Sequence, residues 1–151
     1  MAELAKNSKL MKKAQEEIRN YLGNKRKVTE KDVEELPYLK MIVKETLRLH
    51  PPAPLLLPRE TISHFKIEDY NFYPKTMVQV NVWAIGRDPT YWKDPEEFFP
   101  ERFAESSIDY KGQHFEFLTF GAGRRICSEM KLGVKTVELT LTNLLYHFIG
   151  K

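Results

Sequence analysis

The chain has 151 residues, 42% of them hydrophobic and 12% aromatic. That is about one domain, long enough to bury roughly 68–70% of its unfolded surface. A net charge of +3, from 24 basic and 21 acidic residues, is too mild and too scattered for a nucleic-acid partner, and a single cysteine excludes an intrachain disulfide and fits a reducing compartment.

In chain order, AEL and KLMKKAQEEIRNYL read as helix from almost the first residue, with no N-cap leading in, so the chain reads as beginning inside an element. MAELAKNSKL is no signal peptide, and the apolar stretches are too short to span a bilayer, so the chain as written reads as soluble, with no membrane anchor. Leu10, Ala14, Ile18 and Leu22 recur every four residues, an amphipathic pattern that Gly23-Asn24 stops. KRKVTEKDVEE is a solvated connector or a helix start. Leu36, Leu39, Val43 and Leu47 predict a second helix, ended by Pro51-Pro52.

From Leu55 to Val82 short apolar runs punctuated by Pro58, Asp69-Tyr70 and Pro74 predict paired strands, and MVQVNV alternates through Val80 and Val82. Residues 83–119, rich in proline, aromatics and charge, predict a long irregular segment, a kind usually functional or wrapped around something. Met130, Val134, Val137, Leu141, Leu144 and Phe148 predict a closing helix with a buried stripe. The class is therefore mainly α with a small β-sheet (α+β), divided into helices over 1–50, a small sheet over 51–82, the irregular segment over 83–119 and a cysteine loop with its helix over 120–149.

FGAGRRICSE, residues 120–129, holds the lone Cys127. A loop feeding a helix N-terminus favours a thiolate, through backbone N–H groups and the helix dipole, and Arg124 and Arg125 add positive charge. Gly121 and Gly123 permit positive φ and the close approach of a flat ligand. Three roles compete for such a thiolate. A nucleophile would need a base, and His114 is the nearest histidine, with no oxyanion arrangement beside it. A zinc ligand lacks partners, since His50, His64, His114 and His147 show no ligand spacing. A proximal haem ligand needs one thiolate, arginines for the propionates and a flat apolar neighbourhood.

The pattern Phe120-x-x-Gly123-x-Arg125-x-Cys127 resembles the haem-binding loop of the cytochrome P450 superfamily. In the family's order, KETLRLHPP carries Glu45-x-x-Arg48, NVWAIGRDPTYW resembles a later segment, and FFPERF carries the Pro100-Glu101-Arg102-Phe103 signature. The resemblance covers the whole chain, with wording closest to plant microsomal members. It implies Cys127 as axial ligand to the iron of haem (iron protoporphyrin IX), and Arg59 and Arg125 as partners of its propionates. Phe120 would shield the sulfur and Gly123 would let the backbone approach. Two surface arginines and a core aromatic remain the plain alternatives. From spacing alone, Glu45 and Arg48 read as an exposed i,i+3 pair worth about 0.2–0.5 kcal/mol; the resemblance implies instead a buried structural cluster with Arg102. Pro52 to Leu57 corresponds to a segment lining a substrate pocket.

For function, the resemblance implies a monooxygenase that inserts one oxygen atom of O₂ into a small apolar substrate. Electrons would come from NADPH through a reductase, and the intact protein would sit on the cytosolic face of the endoplasmic reticulum membrane. Two departures stand out. Ser128 and Glu129 follow Cys127 where the family has a proline or similar residue and then glycine. Of the family's oxygen-activating central helix only the tail is matched within residues 1–151, and its membrane anchor and final strands have no match, so no catalytic residue is assigned. The rival expectation is a truncated, non-catalytic remnant with weak or no haem binding.

Overall fold

Asn7 divides the helical start of the chain. Its backbone is extended and its side chain accepts the Leu10 N–H at 3.3 Å, so α1 (Ala2–Lys6) ends there and α2 (Ser8–Leu22) starts with a proper N-cap. The expected lack of an N-cap holds for α1, where Met1 makes no capping bond, and is corrected for α2 by Asn7. The computed structural model describes residues 1–148; the expected limit of the last helix, at 149, lies outside the described residues.

Along α2, Ala14, Ile18 and Leu22 are buried, and Gly23 (φ +54) ends the helix with its N–H on the Arg19 carbonyl at 2.9 Å. The charged run contains a short helix, α3 (Glu30–Glu34). Its third residue, Asp32, reaches back to accept the Thr29 N–H at 2.9 Å and the Thr29 hydroxyl at 2.7 Å, and pairs with Lys25. Next comes α4 (Pro37–Leu49), opened by a proline whose missing N–H costs nothing in a first turn. Glu17 of α2 accepts the next two free donors, the Tyr38 and Leu39 N–H groups, at 2.7 and 2.9 Å. Leu39, Ile42 and Val43 on its buried side, and Leu36 just before it, belong to the core.

The β content lies in two antiparallel ladders. β1 (Arg59–Glu60) pairs with β4 (Met77–Val78), Arg59 opposite Val78. β2 (Phe65–Ile67) and β3 (Tyr70–Phe72) form a hairpin in which Phe65 and Phe72 stack, centroids 4.9 Å apart. The alternation through Val80 and Val82 does not extend β4. Asn81 accepts the Ala84 N–H at 3.0 Å and caps a one-turn helix, α5 (Val82–Ile85). Thereafter the chain is irregular apart from 3-10 turns at Pro100–Phe103 and Gly123–Arg125, until α6 (Met130–His147).

The buried face of α6 is Val134, Glu138, Leu141, Thr142 and Leu145, whereas Val137 and Phe148 are exposed. Of the expected stripe Val134 and Leu141 are buried, and the polar Glu138 and Thr142 take buried positions beside them that a count of apolar residues does not register. Thr142 satisfies its hydroxyl on the Glu138 carbonyl at 2.8 Å. Burial raises the Glu138 carboxyl above the ordinary range, against the opposing pull of Lys135 and Lys40.

Two units make up the chain. The first comprises Met1–Thr46, Glu97–Ile108 and the chain from Cys127 onward; the second comprises Leu47–Glu96 and Asp109–Ile126. In the first, α6 is tied to the α2 end by Gln15 donating to the Phe148 carbonyl at 3.0 Å, and by the Tyr146 hydroxyl donating to Gly23 and Lys25 carbonyls at 2.7 and 2.9 Å. Lys135 adds an ion pair to Glu34 of α3 at 3.2 Å.

The Asp32 cluster carries a pH signature. Hydrogen bonds from Lys25 and Thr29 hold its carboxyl at about 2, below the unfolded value of about 3.9. A depressed carboxyl pKa stabilises the fold fully above the unfolded value, and that contribution is lost as pH falls through the folded one. Asp32→Asn should therefore lower the melting temperature at pH 7. The gap to wild type should narrow from about pH 4 downward and close near pH 2. Melting curves over that range check it, and a pH-independent gap would contradict it.

Candidate functional site

Helix α4 buries two ions one turn apart. Glu45 is 0% exposed and Arg48 1% exposed. Burial on this scale corrects the exposed pair that spacing alone predicts. In the first unit, Glu45 Oε1 accepts from Arg102 Nε at 3.0 Å and from the Phe99 backbone N–H at 2.9 Å. Arg102 also donates to the Glu97 carbonyl at 3.1 Å and lies over the Phe99 ring, 5.7 Å from its centroid. One carboxylate thus gathers the backbone and the side chain of the Pro100–Phe103 turn. Lys13 reaches the same turn through Glu101 at 2.6 Å.

In the second unit, Arg48 Nη1 donates to the Gly86 carbonyl at 2.5 Å and the Pro95 carbonyl at 2.7 Å. Its guanidinium sits 5.3 Å from the Trp92 ring centroid. Trp92 then meets Phe117 edge-on at 6.1 Å, Phe117 meets Tyr110 at 6.2 Å, and Tyr110 meets Phe120 at 5.7 Å. Such edge-to-face contacts fix ring orientations as well as burying area. Trp92 Nε1 finds its acceptor on the Glu116 carbonyl at 3.2 Å. A continuous aromatic path therefore runs from the arginine of α4 to the first residue of the cysteine loop.

The loop itself turns on glycines. Gly121 (φ +76) and Gly123 (φ +67) both occupy the left-handed region that side chains rarely adopt. Gly121 is buried, and a Cβ there would touch Leu56 at 3.7 Å and Arg59 at 3.9 Å. A Cβ on Gly123 would meet nothing within 4 Å. Arg59 donates from Nη2 to the Arg125 carbonyl at 3.2 Å. Phe120 is half-buried, while Arg125 and Cys127 are exposed. Glu129, exposed, is the N-cap of α6 with φ −92, so the backbone itself does not require the family's glycine there.

Of the sequence-predicted residues, the structure brings Glu45 to Arg102 and Arg59 to the backbone of Arg125. Arg48 reaches Gly86, Pro95 and Trp92, to which sequence reasoning assigned no role. Gly86 and Trp92 both lie in the motif NVWAIGRDPTYW, and Pro95 follows it by three residues. The residue types are those haem needs: Cys127 is an exposed thiol, a Cβ on Gly123 would meet nothing within 4 Å, and Arg125 is exposed.

Comparison with known proteins agrees over the whole chain. The family described as Cytochrome P450 matches residues 1–150. Cytochrome P450 71B20 of Arabidopsis thaliana is 60% identical over 152 residues, covering 100% of this chain and 30% of that protein. Cytochrome P450 71B24 of the same plant is 62% identical, covering 98% and 30%. A zebrafish cytochrome P450 solved with abiraterone superimposes with a TM-score of 0.84 at 33% identity, covering 95% of this chain and 34% of that one. The chain thus spans about 30% of the length of the plant relatives it matches.

Gly86 tests the Arg48 anchor without touching a charge. Its backbone is ordinary, but a Cβ there would stand 2.6 Å from the Arg48 carbonyl oxygen, a backbone atom with no room to yield. Gly86→Ala should therefore destabilise the chain by about 1–3 kcal/mol, the usual cost of overpacking, where relief of glycine entropy alone would stabilise it. Urea unfolding measures the difference, and a neutral or stabilising result would contradict the close approach.

Proposed function

The chain belongs to the cytochrome P450 family, and from that premise we propose that it is the haem-thiolate portion of a monooxygenase acting on a small apolar substrate. The observation that carries the proposal is Cys127, an exposed thiol in a chain with no other cysteine, following a turn built on two positive-φ glycines. In this reading Cys127 is the axial ligand, Arg59 and Arg125 hold the propionates, Gly123 leaves the backbone bare for a flat ring, and Phe120 keeps water from the sulfur. A planar guanidinium with several donors suits a carboxylate better than a lysine would. Haem, when bound, supplies the oxygen chemistry, tuned by the electron density of its thiolate ligand.

The remaining residues serve position rather than chemistry. Glu45, Arg48 and Arg102 act as buried anchors for the irregular segment and thereby for the turn that precedes the cysteine. Exposed Leu55 and Leu57, in the stretch Pro52–Leu57, offer apolar surface to a substrate. The electron donor would be an NADPH-dependent reductase, and the intact protein would work at the cytosolic face of the endoplasmic reticulum. Among the described residues no helix is long and apolar enough to cross a membrane. A second reading, weak haem binding without turnover, draws on Glu129, whose exposed carboxylate lies two positions from the thiol and opposes both it and the propionates.

The test is spectroscopic. Purified chain supplied with haem, reduced and exposed to carbon monoxide should show the red-shifted Soret band of thiolate ligation, and Cys127→Ala should lack it. Glu129→Gly should raise haem affinity by removing bulk and negative charge beside the sulfur. Wild-type spectra indistinguishable from Cys127→Ala would overturn the ligand role, and equal affinity in Glu129→Gly would remove the basis of the second reading.

A further inference from the structure

The segment leading into β1 touches the cysteine loop twice. The Leu56 side chain lies beside Gly121, 3.7 Å from where a Cβ there would stand, and Arg59 donates to the Arg125 carbonyl at 3.2 Å. Both contacts lie within the second unit. Leu56 has φ +51, a left-handed conformation unusual for a bulky residue, and its N–H closes a turn on the Ala53 carbonyl at 3.0 Å. A second bond fastens that turn, from the Trp83 N–H to the Pro54 carbonyl at 3.2 Å. Arg59 is fixed at its root by pairing with Val78. Strained backbone persists only where its surroundings over-determine it, and here they hold Leu56 against the loop.

From this arrangement we propose that Leu56 and Arg59 are positioning residues for the cysteine loop: they hold its backbone at Gly121 and Arg125 before any cofactor arrives. The proposal deepens the reading given above and rests on it only for the use made of Cys127. A guanidinium carries five donors in a rigid fork. One is spent on the Arg125 carbonyl, and the rest stay available to a carboxylate. The same side chain would then set the loop and receive an anion, so the entropy of ordering the loop is met in folding rather than in binding. Leu56 supplies the apolar half of the contact. It lies at ordinary van der Waals distance from position 121, where the positive φ rather than lack of room favours glycine.

Hydrogen exchange on the haem-free chain tests the proposal without reference to activity or to the cofactor. Two loop amides are bonded within the loop region, Gly121 to the Leu118 carbonyl at 2.8 Å and Ile126 to the Gly123 carbonyl at 3.2 Å. In Arg59→Gln and in Leu56→Ala their exchange should quicken by about threefold or more, with protection in α2 and α4 unchanged, since loosening would be local. Arg59→Lys, which keeps a donor and a charge, should restore part of the protection. Arg124→Gln should have no effect. Should Leu56→Ala lose protection throughout, Arg59→Gln decides the matter alone, because Arg59 is half-exposed and its loss spares the core. Unchanged loop exchange in Arg59→Gln would overturn the proposal. A failed carbon monoxide spectrum would overturn the haem reading and leave this result standing.

Discussion

A carboxylate with no exposed surface is the constraint from which the first unit is organised. Stripping water from an ionised Glu45 costs several kcal/mol, and the structure offsets that with two donors on one oxygen, Arg102 Nε at 3.0 Å and the Phe99 N–H at 2.9 Å. Both donors belong to a stretch that has no regular ladder of its own. Irregular backbone must find partners somewhere, and here a helix side chain provides them. The Pro100–Phe103 turn therefore has its conformation dictated from outside, by an ion that tolerates few alternatives.

Arg48 applies the same principle in the second unit, using backbone carbonyls in place of a carboxylate. Gly86 and Pro95 are brought to one guanidinium, and Trp92 stacks beside it. Trp92 starts the sequence of edge-on rings that ends at Phe120. The cysteine loop thus begins on a ring whose orientation is inherited from α4, and continues through glycines whose positive φ leaves the backbone uncovered. Of the residues proposed to bind, Phe120 and Arg59 take part in this scaffold. Arg125 and Cys127 are exposed.

Helices were the most legible part of the sequence, because spacing reports burial directly when the buried side chains are apolar. Leu36, Leu39 and Val43 are all buried where the periodicity put them. The same rule misled on α6, where Glu138 and Thr142 take buried positions and Val137 lies outside. It misled again after β4, where the capping bond of Asn81 outweighed two β-branched residues in alternation. Single polar residues with local hydrogen bonds decide such boundaries, and a count of apolar positions does not register them. At the site, the motif order identified the loop and its family, and residue type permitted the positive φ that Gly121 and Gly123 adopt. Partners far apart in sequence were not. Nothing near Gly86 in the chain announces that its neighbour is the carbonyl of Arg48, and nothing near Leu56 announces Gly121.

The central claim is that the charge on Glu45 specifically engages Arg102. A double-mutant cycle of Glu45→Gln and Arg102→Gln, read by urea unfolding at neutral pH, tests it most directly. The amide keeps an acceptor for the Phe99 N–H, so the cycle isolates the ionic contact. A coupling of at least about 1.5 kcal/mol is predicted, in the upper half of the range for residues in direct contact. Losses that add to within about 0.5 kcal/mol would mean that the two residues act independently, and would contradict the account.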